Sequence, residues 1–110
     1  MLRNTLEKIE SKIRNSPNIP EEKKSEYFHL LEQLNNEVNE LDKTDHEKAQ
    51  SVKRFTKAAA HESTREEPNP RLLQLAREGL SSSVQEYEIS HPRLVQTVNS
   101  ICTFLSKIGI

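Results

Sequence analysis

The chain has 110 residues, 33% hydrophobic and 30% charged, with a formal net charge of −1 and a mean hydropathy of −0.81. This length holds one domain, and the near-zero net charge argues against a general affinity for nucleic acid or acidic membrane. Two glycines and 5% aromatic residues argue against a sheet-rich fold, which needs turn glycines and aromatic strand positions. So little apolar content suits helices that each bury one narrow stripe. The expected fold class is all-α, an antiparallel helical bundle with coiled-coil-like hairpins.

Charge is unevenly placed. Residues 25–50 carry seven acids against Lys43 and Lys48, whereas 1–24 and 51–80 each carry six basic and four acidic residues. The acidic middle is a solvated helix face or pairs with its basic flanks, within the chain or across a dimer. Cys102 is the one cysteine, which excludes an internal disulfide and a disulfide-stapled secreted scaffold. The N-terminus lacks the apolar stretch of a signal peptide, and no run approaches the ~20 apolar residues of a membrane span. A cytoplasmic location is expected.

In chain order, Leu2, Leu6, Ile9 and Ile13 step by four, three and four, placing one apolar seam on a helix over 2–15. Pro17 and Pro20 end it. Pro20 suits the first position of the next helix, over 21–43, with Glu21 and Glu22 favoured by the positive dipole end. Its seam is Tyr27, Leu31, Leu34, Val38 and Leu41, and the two helices form a hairpin. The seam then meets Asp45 and Lys48 before recovering at Val52, Phe55 and Ala59. Either the helix continues through a polar gap, or Thr44-Asp45-His46-Glu47 is a capping box that starts a new helix over 45–62. The second reading is favoured. An unbroken helix of ~60 Å would leave most of its length uncovered by the first helix.

Residues 63–69 read as a polar loop, with Asn69 as N-cap and Pro70 at the first position of a helix over 70–89. Its seam is Leu73, Ala76, Leu80, Val84 and Tyr87. Gly79 and Ser81-Ser82-Ser83 weaken this helix or let a neighbouring helix approach closely. Pro92 ends it, forces His91 out of the helical region and opens the last helix, over 92–108. Leu94, Val98, Ile101, Leu105 and Ile108, flanked by Val95 and Cys102, make this the most apolar helix. Cys102 is expected as a small core hydrophobe. Phe104 falls off the stripe, so it packs at a margin or is exposed for a partner. Gly109 is a plausible C-cap. The expected organisation is a single helical domain over 1–110, with an N-terminal hairpin (1–43), the polar loop and a C-terminal hairpin (70–110).

No catalytic constellation emerges. The four histidines, His29, His46, His61 and His91, show no i, i+3 or i+4 spacing, and Cys-x-x-Cys and His-Glu-x-x-His are missing. A metal site assembled from His46 with Asp42 or Glu47 is a remote alternative, and no cofactor is expected. Ser81–Ser83 lack a nucleophile elbow. His91 either packs at or caps the corner, or acts there as a pH-sensitive or ligand-contacting group. Lys53-Arg54-Phe55-Thr56-Lys57 is the nearest approach to a basic patch and is short for nucleic acid.

The chain also resembles a known family. The residues that carry this are Ala60-His61-Glu62-Ser63-Thr64-Arg65, Asn69-Pro70, Glu78-Gly79-Leu80-Ser81-Ser82-Ser83-Val84, Glu86-Tyr87-Glu88-Ile89-Ser90-His91-Pro92-Arg93-Leu94 and Gly109-Ile110. They resemble small bacterial proteins grouped as domain of unknown function four-four-zero-four. The likeness covers nearly the whole chain, with Tyr87 standing where phenylalanine is expected. It implies a bacterial, cytoplasmic, helical protein and transfers no activity, cofactor or catalytic residue.

The expected function is a non-catalytic structural or protein–protein interaction module. It would act as a homodimer, since narrow seams are commonly completed by two-fold pairing, and bind a further, unidentified protein. Tyr87, Ser90, His91, Pro92 and Phe104 are the candidate interaction residues. A nucleic-acid accessory role through the basic residues of 51–77 is the alternative. A small-molecule binder or enzyme at the Ser90-His91-Pro92 corner ranks below it.

Overall fold

The structure, a computed structural model, describes residues 3–108. The seam position Leu2, the C-cap Gly109 and Ile110 lie outside the described residues. Five α-helices follow one another: α1 (Arg3–Asn15), α2 (Glu21–Asp42), α3 (His46–Ser63), α4 (Pro70–Val84) and α5 (Pro92–Lys107). No strand occurs among the described residues.

Helices α2 to α5 form an antiparallel four-helix bundle in which each packs on the next and α5 closes against α2. Three contacts fix the directions. The Tyr27 hydroxyl, near the start of α2, lies 2.7 Å from Ser63 Oγ at the end of α3. The same Tyr27 ring stacks on Phe104, near the end of α5, with centroids 4.9 Å apart. Lys48 Nζ, early in α3, pairs with Glu86 beyond α4 at 2.9 Å. Helix α1 lies across the α2/α3 edge, where Lys24 Nζ donates to the Arg14 carbonyl at 2.6 Å and holds the end of α1.

One buried cluster draws on all five helices. The α2 seam is as the spacing requires: Tyr27, Leu31, Leu34, Val38 and Leu41 are buried. In α3 the recovery at Val52 and Ala59 is as the spacing requires, but Phe55 does not join it. Ala49, Val52, Thr56, Ala59 and Ala60 face the core, whereas Phe55 turns outward and is 37% exposed. Two buried hydroxyls of α3 bond back to the helix itself. Thr56 Oγ1 donates to the Val52 carbonyl at 2.7 Å and Ser63 Oγ to that of Ala60 at 3.3 Å. A face of alanines and small hydroxyl residues lets α2 and α4 approach α3 closely.

Chain breaks follow local chemistry. Of the two readings of the α2/α3 junction, the break is the one observed, and its cap is Asp45. The Asp45 side chain accepts the Lys48 amide at 3.1 Å, while Thr44 Oγ1 turns back to the Leu41 carbonyl at 3.2 Å. Asp45 wins because a charged carboxylate answers the orphan amides at a helix start better than a hydroxyl. Pro20 sits one position earlier than expected, as the N-cap of α2. Asn69 caps α4, accepting the Arg71 and Leu72 amides, with Pro70 at the first position.

The helix expected over 70–89 is shorter. It ends at Val84 and tightens into a 3-10 turn, Gln85–Tyr87. Final turns commonly tighten in this way, and here Tyr87 is committed to a bond with α3 that is described below.

Candidate functional site

Two regions stand out: the corner before α5, and the outer face of the α3/α4 hairpin. At the corner, Pro92 is the first residue of α5 and removes an amide that had no helical partner. His91 occupies the N-cap position without a side-chain capping bond. It packs instead. Its amide donates to the Tyr87 carbonyl at 2.8 Å, its ring meets the Tyr87 ring edge-on at 5.6 Å, and its Nδ1 lies 3.0 Å from the exposed Ser90 Oγ.

Tyr87 is the hub of this corner. Its hydroxyl donates to Asp45 Oδ2 at 2.6 Å, on the carboxylate whose other oxygen caps α3. That bond, followed by the Lys48 amide, holds the Asp45 carboxyl below its ordinary 3.8. Burial and then the neighbouring Asp45 charge push the Tyr87 phenol up to about 12. Two contacts flank the junction, the Lys48–Glu86 ion pair and a hydrogen bond between His46 Nδ1 and Asp42 at 2.6 Å. The structure therefore brings Tyr87, Ser90, His91 and Pro92 together.

Phe104 does not join them. It is 5% exposed and stacked on Tyr27, twelve positions along α5 from Pro92, about 18 Å at 1.5 Å per residue. The wheel position that put it off the stripe is real, but α2 packs over that flank and covers it. Cys102 is half-buried, its Sγ 3.8 Å from the Arg77 carbonyl to which it donates, and burial pushes its thiol up.

The α3/α4 face carries no motif that the sequence marks. Large apolar side chains are rarely left uncovered in a group, yet Leu72 is 47% and Leu75 44% exposed beside Phe55. They sit on one side of α4 with Gly79, at i, i+3 and i+7. The Phe55 ring lies over Gly79, where a Cβ would fall 2.3 Å from it. Gly79 thus lets a neighbouring helix approach, and that helix is α3. The available signal was that Leu72 and Leu75 fall outside the Leu73, Ala76, Leu80, Val84 seam. Ile89, 95% exposed at the corner, gave no periodic signal because it lies in a turn.

Open clefts lie elsewhere. One of about 500 Å³ runs between α2 and α5 over Leu30, Phe104 and Ile108. Another, of about 420 Å³, separates α1 from α2. A third, of about 310 Å³, lies between α1 and the end of α3. Among the described residues, no three His, Cys, Asp or Glu side chains are grouped to hold a metal. No helix there is long and apolar enough to cross a membrane.

With the helices, the corner and the Gly79 contact in place, comparison with known families is informative. Residues 28–110 match the family described as domain of unknown function (DUF4404). The chain belongs to that family. The match takes in the corner and the whole α3/α4 face, and leaves α1 and the first residues of α2 outside. No curated protein and no solved structure matches the chain.

Proposed function

We propose that this DUF4404 member is a non-catalytic interaction module that pairs with a second copy of itself through the α3/α4 face. The observation that carries this reading is the exposed group Phe55, Leu72 and Leu75 on two adjacent antiparallel helices. Such a face is half of a helical interface. Exposed residues of both signs surround it, Arg54 and Arg71 against Glu78 and Glu86. A two-fold pair sets residue i of one copy against residue j of the other, so a rim of mixed sign is self-complementary where a rim of one sign is repulsive. The corner, with its exposed Ser90 and Ile89, then remains free for a further protein partner. A half-buried unpaired thiol and the likeness to a bacterial family support a cytoplasmic setting.

The test is light scattering on the size-exclusion peak. The expected mass is twice 12.7 kDa, reverting to the single-chain mass in a Leu72→Glu, Leu75→Glu variant that keeps its helical circular dichroism. A single-chain mass for the unaltered protein at high micromolar concentration would defeat the reading.

A further inference from the structure

From Lys48 to His61 the chain contains no Asp or Glu. Lys53, Lys57 and His61 in this stretch lie four apart, on one side of α3 and about 6 Å from each other along the axis. Lys57 and His61 are exposed and Lys53 half-buried. Among the described residues none of the three makes an ion pair, whereas Lys48 is consumed by Glu86. Arg65 continues the row just beyond α3, anchored by Glu62 at 3.1 Å with its side chain half-exposed.

Helix α1 supplies a second row. Lys12 faces the end of α3 across the 310 Å³ cleft, whose other lining residues are Ser11, Asn15, His61, Thr64 and Arg65. Lys8, also exposed, lies one turn before Lys12 on the same side. Of the two acids of α1, Glu7 and Glu10, neither lines this cleft. Glu10 is paired with Arg14 at 2.7 Å and lines the opposite cleft, against α2. Lys12, His61 and Arg65 line the cleft itself, and Lys8, Lys53 and Lys57 extend its two rows by helical spacing. No carboxylate lines the cleft, although the chain as a whole has one more acid than base.

We infer that the α1/α3 groove binds the phosphate backbone of a nucleic acid. Every side chain lining the cleft can donate a hydrogen bond, and none is a hydrocarbon side chain. Protein hot spots are built on Trp, Tyr and Arg among others, and this cleft offers neither Trp nor Tyr, so a folded protein partner fits it poorly. A run of phosphates needs only cations and donors. With no Phe, Tyr or Trp in the lining to stack a base, contact is chiefly with the backbone and largely independent of sequence. This inference is separate from the self-pairing reading, since the row lies on a different side of α3 from Phe55.

The test is fluorescence anisotropy of a labelled duplex and a labelled single strand titrated with the full chain. Binding in the range of about 1–100 μM near physiological salt is expected, with log K falling by roughly 4–5 per decade of salt. Lys53→Glu with Lys57→Glu should weaken binding by more than about 10-fold and flatten the salt slope by roughly 2. The milder Lys53→Gln, Lys57→Gln pair should give an intermediate loss if the reversed charges disturb folding. Lys23→Glu with Lys107→Glu makes the same net charge change at the α2/α5 cleft and should leave the slope in place. No binding at low salt, an equal loss in the Lys23, Lys107 control, or capture by phosphatidylserine vesicles but not by oligonucleotide would each overturn the inference.

Discussion

The Tyr87 hydroxyl reaches Asp45 Oδ2 at 2.6 Å across 42 positions of sequence, joining the corner before α5 to the cap of α3. One carboxylate thereby serves two junctions: it accepts the first-turn amide of α3 and fixes the aromatic ring against which His91 packs. Because the folded state holds the Asp45 carboxyl below 3.8, its ionised form favours folding. That contribution is present above the unfolded value and is lost as pH falls through the lower, folded one. Tyr87→Phe keeps the ring and removes the bond. At neutral pH it should lower Tm by roughly 4–8 °C, and the gap to the parent should narrow in acid, below the ordinary 3.8, as Asp45 is protonated in both. Thermal unfolding followed at both pH values checks this. A gap that persists unchanged in acid would mean that the hydroxyl does not act through the carboxylate.

At the alkaline end the two tyrosines act together. Burial pushes Tyr27 up to about 12, partly opposed by its bond to Ser63, and Tyr87 reaches about 12 as well. Their folded values stand above the ordinary 10.0, so between about pH 10 and 12 the unfolded chain has lost phenolic protons that the folded chain keeps, and stability falls as pH rises. Tyrosinate absorbance should therefore appear together with loss of helical circular dichroism. Tyr27 and Tyr87 are all the tyrosines there are, so an early, separate half-amplitude step would identify one of them as accessible.

The helices were legible because their signals are local. Proline at 17, 20, 70 and 92, Asn69 before Pro70 and the four-three steps of Tyr27 to Leu41 each act within one or two turns of chain. What could not be read was which flank of a helix another helix would cover. Phe55 fits the Val52–Ala59 step as well as Thr56 does, and the alanines beside it made the broader face ambiguous. Phe104 is apolar and off the stripe, and only the position of α2 decides that it is buried. The corner residues were found from the Ser90-His91-Pro92 pattern, but their tether was not. Asp45 was legible as part of a cap, and nothing in its neighbourhood pointed 42 residues ahead to a phenol.

Phe104 gives the sharpest division between packing and recognition. It is 5% exposed and stacked on Tyr27, so Phe104→Ala should cost about 3–5 kcal/mol, a large part of the ~5–15 kcal/mol that holds a domain of this kind together. Denaturant unfolding measures it directly. Phe104→Leu should recover much of the loss, since it refills most of the cavity. A Phe104→Ala chain of near-parental stability but altered association would return this residue to the surface role that its off-stripe position suggests.

The pair Phe55 and Gly79 makes a prediction about coupling. Glycine inside a helix costs about 1 kcal/mol relative to alanine, so Gly79→Ala ought to stabilise α4. The added Cβ, however, falls 2.3–2.8 Å from three atoms of the Phe55 ring, and the ring must swing outward to admit it. In the parent chain the gain should therefore be largely cancelled by lost ring contact. In a Phe55→Ala background nothing opposes the methyl, and Gly79→Ala should stabilise by about 1 kcal/mol. The two changes are thus non-additive, and a double-mutant cycle in denaturant reads the difference. The same methyl displaces Phe55 from the face proposed for self-pairing. Gly79→Ala alone should weaken the dimer in light scattering while leaving the folded monomer intact, which separates association from stability in one substitution. Additive stabilities in the cycle would show that the ring does not rest on Gly79.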